Sequence, residues 1–224
     1  MSALRNGPRI YFNATNLATG NLFFFVAGGE VAEEMGDYEL GVVDAAEYPV
    51  CRAVAASSAF PPIFPPLRMD PEVYSPAERL GYVTLTDSGV YDNMGVNPLL
   101  LSRNKLDYVI INDGGKPFTM EERPTEYGIL VLRESLSIMM EQIRGLEFDR
   151  IEHRHKAGMG PKPLWCSIDS TEGEEIPGDA AFASLIRTDL RRLSSEELAV
   201  LARHGGSLLG ARIATYAPEL LATP

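Results

Sequence analysis

The residues of this sequence that could do chemistry gather where an apolar run meets an acid. Residues 82–100 read YVTLTDSGVYDNMGVNPLL. The run at 82–86 has the β-branched, alternating character of a strand, and Asp87 follows it directly, with Ser88 and Gly89 allowing a tight backbone turn. A carboxylate fixed at a strand end can act as general base if a nucleophile's proton comes within ~2.6–3.2 Å of it. The same residues also make an ordinary turn or helix cap. Asp bonds its own backbone two residues on, and Gly89 can supply a positive φ where a turn demands one. Asp113 ends a second strand-like run (YVIIN, 108–112) and precedes Gly114-Gly115, but it lacks the Val-Tyr-Asp-Asn residues that follow Asp87 and is read as structural.

A nucleophile for that base is harder to place. No serine lies in Gly-x-Ser-x-Gly, the strand-to-helix elbow that exposes a catalytic hydroxyl. Near-misses are Ser57 and Ser58 in Ala55-Ala56-Ser57-Ser58-Ala59, Ser207 after Gly205-Gly206, and Ser88 beside Asp87 itself. The first pair ends a helical pattern, Ser207 sits at an expected left-handed helix cap between two helices, and sequence neighbours at a turn usually point apart. Packing or capping is the simpler role for each, and all four stay as alternatives for a relocated nucleophile. Gly28-Gly29 after a strand could form an anion-binding nest, though no basic residue follows and a turn is expected. His153 and His155 are two apart and do not share a helix face. With Arg154 they suit a helix C-terminus, as does His204. Asp92 and Asn93 are expected to cap a helix, and Arg52 to lie at a surface or interface. Cys51 and Cys166 make no disulfide framework or metal spacing, and no cofactor or metal motif appears.

The elements that must position these residues alternate. Residues 9–14 and 22–27 read as strands joined by a Gly-containing turn. Residues 44–59 form a small-residue helix stopped by Phe60-Pro61-Pro62, residues 61–66 an extended corner, and 67–81 a surface loop with a turn at Asp70-Pro71. Phe60, Ile63 and Phe64 are most simply core, with an acyl groove as their functional alternative. A short helix over 92–101, the strand 108–112, a long helix over 126–155 and a strand over 164–168 follow. Helices are expected over 179–186, 195–203 and 207–216, with Ser194 and Glu197 in a capping box. Alternating strands and helices with near-continuous apolar strands predict an α/β fold of three layers, α/β/α, around a mostly parallel sheet. At 224 residues, 45% hydrophobic and 23% charged, the chain is an ordinary globular one. The net charge of −11 argues against nucleic acid as a partner. Without an apolar signal-peptide core or a spanning run, the expected location is cytoplasmic.

The segment around Asp87, with residues 9–20 (RIYFNATNLATG), 48–67 (YPVCRAVAASSAFPPIFPPL) and 187–206 (RTDLRRLSSEELAVLARHGG), resembles the patatin-like phospholipases in order and spacing. The resemblance implies one domain over 1–224 (core 9–168, C-terminal helices 179–216) that is N-terminally incomplete. It implies a lipid acyl hydrolase using a Ser–Asp dyad without cofactor, with Asp87 as the dyad base. Ser88 stands where the family usually has Gly. The family's serine elbow and its Gly-rich oxyanion loop match nothing here, and in members both lie upstream of the residues that match. The expected partners are a lipid or ester substrate, transiently a membrane surface, and other copies of the chain through an exposed sheet edge. The competing readings are an inactive interaction module of the same fold and an esterase with a relocated serine.

Overall fold

A computed structural model describes residues 1–101, 104–115, 117–118, 120, 123–186 and 191–221. The chain divides into two compact units, Met1–Pro98 and Leu99–Pro224.

In the first unit, the aromatic run at the centre of β2 (Asn21–Ala27) is buried on both faces, which is why it carries no polar alternation. β2 lies between β1 (Ile10–Asn16) and β3 (Glu34–Asp37) in a six-stranded sheet of order β4-β3-β2-β1-β6-β5. The outer members are β4 (Gly41–Asp44), β5 (Leu67–Met69) and β6 (Val83–Asp87). Every pairing in it is antiparallel. The expectation of a mostly parallel, three-layer arrangement is therefore corrected to a mixed α/β fold whose main sheet is antiparallel. Connection length explains the difference. β1–β2 and β3–β4 are joined by three or four residues, whereas a parallel pair needs a crossover of a dozen or more.

Helix α1 (Val50–Ser57) is shorter than its expected 44–59, because the preceding residues pair as β4 and Pro49 takes an extended N-cap conformation. It turns Ala53 and Ala56, both fully buried, toward the core that holds Ala14, Phe23 and Phe25. Phe25 stacks on Tyr48 at 5.1 Å, and Phe23 meets Tyr74 edge-on at 5.1 Å. Residues 60–64 form a turn with a cis Pro61–Pro62 peptide rather than an extended corner, and Ile63 and Phe64 are exposed rather than core. The expected loop 67–81 contains β5 and a 3-10 helix, Ser75–Arg79; the turn at Asp70 is present.

The second unit contains the parallel pair. β7 (Tyr108–Asp113) and β8 (Lys162–Ser167) run side by side, with α2 (Gly128–Lys156) as the crossover between them. Helix α3 (Asp179–Leu185) and α4 (Ser195–Tyr216) follow. α4 is one helix, not two. Its capping box at Ser194 and Glu197 forms as expected, and Val200, His204 and Leu208 are buried along one side. That burial carries Gly205 and Gly206 through the helix interior, although each costs roughly 1 kcal/mol relative to Ala there. Residues 187–190, which open the expected C-terminal motif, lie outside the described residues.

The β1–β2 turn, the β3–β4 hairpin and the segment before Ser75 are joined through one buried residue, Asp37. Asp37 accepts from Asn16 Nδ2 at 3.1 Å, from the Thr19 hydroxyl, and from the Glu39 amide at 2.7 Å. Tyr74 accepts from the Asp37 amide and donates to the Gly41 carbonyl at 2.6 Å. Asp37→Ala leaves the buried Asn16 amide without its acceptor. It is expected to lower the unfolding free energy by roughly 2–3 kcal/mol, read from urea midpoints of the whole chain.

Candidate active site around Asp87

Asp87 is the last residue of β6, opposite Ala14 of β1. Three hydrogen bonds fix the backbone there. The Asp87 amide donates to the Ala59 carbonyl at 3.1 Å, the Thr86 hydroxyl donates to the same carbonyl at 2.8 Å, and the Thr15 hydroxyl donates to the Asp87 carbonyl at 2.9 Å. The strand end is thereby tied both to the residue that follows α1 and to the central strand of the sheet.

The side chain caps the 3-10 turn Ser88–Val90, with Oδ1 accepting from the Gly89 amide at 2.7 Å. Ser88 fits this turn, since neither it nor Gly89 is among the residues at positive φ. Gly89 is buried and Asp87 half-buried. Burial pushes the Asp87 carboxyl above its ordinary range, and the Gly89 amide opposes that shift without cancelling it. The group is a stronger base than an exposed Asp and uses one oxygen for structure.

The chain beyond it is a loop, not the expected helix over 92–101. Asp92, fully buried, accepts from the amides of Val96 at 2.9 Å and Asn97 at 2.8 Å, so it closes a loop rather than capping a helix. Gly95 is left-handed at φ 66° within it, and helical structure returns only as the 3-10 turn Pro98–Leu100. Beneath the loop lies Asn13, buried and within 3.7 Å of where a Gly95 side chain would begin. Thr15, Ala59 and Asn13 carry no local sequence signal for this role. They reach the strand end only through pairings far apart in the chain.

No serine hydroxyl among the described residues is hydrogen-bonded to Asp87. Ser58 Oγ donates to Val54 O within α1 at 2.8 Å, and Ser207 Oγ donates to His204 O at 3.1 Å inside α4, so Ser207 is not at a helix cap. Gly28 and Gly29 do not form an open nest. The Gly29 amide already donates to Gly7 O at 2.9 Å, and a side chain at Gly28 would begin 2.2 Å from Pro8 O. Their left-handed backbone, at φ 80° and 62°, serves that close approach.

Residues 28–100 match the family model of patatin-like phospholipases. The matched segment contains α1, the proline-rich corner and Asp87, while the motifs at 9–20 and 187–206 lie outside it. At the level of the family this points to lipid acyl hydrolysis. A search of curated proteins finds no match.

The remaining candidates take structural places. Asp113, buried at the end of β7, pairs with Arg144 of α2. His204 is not at a helix C-terminus but buried in α4, its Nε2 2.8 Å from Ile168 O. His153 and His155 do sit in the last turn of α2, and Arg52 lies over the Tyr48 ring at 5.8 Å. Cys51 is exposed and Cys166 buried, both as free thiols.

A carboxyl whose pKa is raised on folding holds its proton more tightly in the folded state. Its contribution to stability is complete below the unfolded pKa, ~3.9 for Asp, and is lost as pH rises through the folded value. Asp87→Asn keeps the acceptor for Gly89 and removes the desolvated charge. At neutral pH this variant is expected to withstand more urea than the parent chain, with the difference vanishing in acid.

Proposed function

We propose that this chain supplies the general base of a lipid acyl hydrolase, with Asp87 as the Asp of a Ser–Asp dyad and the serine on polypeptide outside these residues. The observation that carries the reading is a half-buried carboxylate, anchored at a strand end inside the patatin-like segment, with raised basicity and no serine partner of its own among the described residues. Asp87 takes the proton from the serine hydroxyl as its oxygen attacks the ester carbonyl carbon. The tetrahedral oxyanion collapses, the carbon–oxygen bond to the alcohol breaks, and the alcohol leaves with the proton that Asp87 returns. Water, deprotonated by Asp87, then attacks the acyl carbon, the bond to the serine oxygen breaks, the acid leaves, and Asp87 returns the proton to the serine. An oxyanion hole for this step comes with the serine's own segment, since the Gly29 amide is already bonded to the Gly7 carbonyl.

Substrate contact follows from the corner. Residue 60 begins one residue after the carbonyl that holds Asp87, and the exposed Ile63 and Phe64 offer an apolar surface for an acyl chain. A single domain over 1–224 belongs to the same proposal, as does transient contact with a lipid surface.

Hydrolysis of p-nitrophenyl esters of short and long acyl chains tests the reading. The chain alone is expected to give no turnover. A folded polypeptide joining it to a patatin-type segment with the serine elbow and oxyanion loop is expected to turn over, and Asp87→Ala in that polypeptide to lose ~10²–10⁴-fold in kcat. Turnover by the chain alone that disappears with Ser57→Ala, Ser58→Ala, Ser88→Ala or Ser207→Ala overturns the proposal in favour of a relocated nucleophile. Absence of turnover from both folded proteins overturns it in favour of an inactive module.

A further inference from the structure

Helix α2 buries only residues from its C-terminal third, Glu147 and Ile151, with Phe148 meeting Trp165 edge-on at 5.1 Å. Ahead of these, Ile129, Leu132, Leu136, Met139, Ile143 and Leu146 follow one another at spacings of 3, 4, 3, 4 and 3 residues. That is the ~3.5-residue period of a coiled-coil seam with every a and d position apolar. The adjacent frame fails the same pattern, since starting from Leu130 it meets Arg133, Ser137, Arg144 and Glu147. The described residues do not bury the seam. Ile129 is 66% exposed, Leu132 52%, Met139 59% and Leu146 67%, while Leu136 and Ile143 are half-buried.

We infer that this seam packs against α2 of a second copy of the chain. An apolar stripe of this period is filled layer by layer only by a helix of the same period. Because each a and d position here is apolar, a second copy fills every layer. Charge permits the same partner. The chain carries −11, yet the stretch 128–146 holds Arg133 and Arg144 against Glu134 and Glu141, so two copies meet without net repulsion there. The flanking e and g positions, Arg133, Ser135, Met140 and Gln142, hold one charge among them, and no pattern in them demands an unlike partner. A helix built for a lipid surface would carry an excess of Lys and Arg on its polar face, which this one lacks. The inference is independent of the hydrolase reading, since a chain without activity would pair in the same way.

Sedimentation equilibrium of the whole chain at low micromolar concentration tests it. The expected mass is twice 24.5 kDa. Leu132→Glu with Met139→Glu is expected to give one copy per particle with unchanged far-UV circular dichroism, because both side chains are exposed on their own chain. Leu130→Glu with Ile138→Glu, equally exposed but off the seam, is expected to leave two. A single-copy mass for the unaltered chain overturns the inference. So does a two-copy mass that survives the seam variant, which places the contact on a sheet edge. Flotation of a single-copy chain with phosphatidylcholine vesicles, lost in the seam variant, overturns it in favour of a lipid surface.

Discussion

The position of the site depends on the carbonyl of Ala59. It accepts from both the Asp87 amide and the Thr86 hydroxyl, and so ties the end of β6 to the residue where α1 gives way to the proline-rich corner. The Thr15 hydroxyl holds the next carbonyl from the other side. With its backbone fixed from two directions, Asp87 has little freedom left except in its carboxylate. Of that carboxylate, Oδ1 takes the Gly89 amide. The arrangement is a cap that, in the proposed function, also holds a base. Capping orients the group without neutralising it, and half-burial keeps its basicity above that of a surface Asp.

Small residues make this closeness possible. Ala53 and Ala56 let α1 approach β1 and β6, with Ala14 opposite Asp87 in the register. The aromatic core around Phe23, Phe25, Tyr48 and Tyr74 then sets the sheet on which β1 and β6 are paired. The buried Asp37 of β3 ties Asn16, at the end of β1, to the β3–β4 hairpin. The carboxyl groups of Asp37 and Asp87 differ in what they do. The first is surrounded by donors that hold the fold, and the second has a single amide and sits at the strand tip.

Much of this was legible where the signal is local. The aromatic strands, β6 running into Asp87, the βαβ unit around α2 and the capping box at Ser194 all follow from periodicity, β-branching or cap chemistry within a few residues. The direction of the main sheet was not, because apolar strands alone do not distinguish parallel from antiparallel neighbours; short connections decide that. The hairpin of β3 and β4 has few β-branched residues and is marked instead by Gly36, where a side chain would begin 2.4 Å from Gly41 O. Gly205-Gly206 resembles a helix end, and only the burial of His204 and Leu208 across it shows a continuous helix. At the site, chemistry picked out Asp87, whereas Thr15 is 72 residues away and became visible only through strand pairing.

The central claim is that Asp87 activates a serine. Fluorophosphonate labelling measures that step alone, because phosphonylation consumes one hydroxyl proton and needs no turnover. In a folded polypeptide that joins this chain to the serine-bearing segment, the account predicts covalent labelling whose rate rises with pH through an apparent pKa above that of an exposed carboxylate, and loss of that labelling in Asp87→Asn. Labelling at the same rate and with the same pH dependence in both proteins would contradict it.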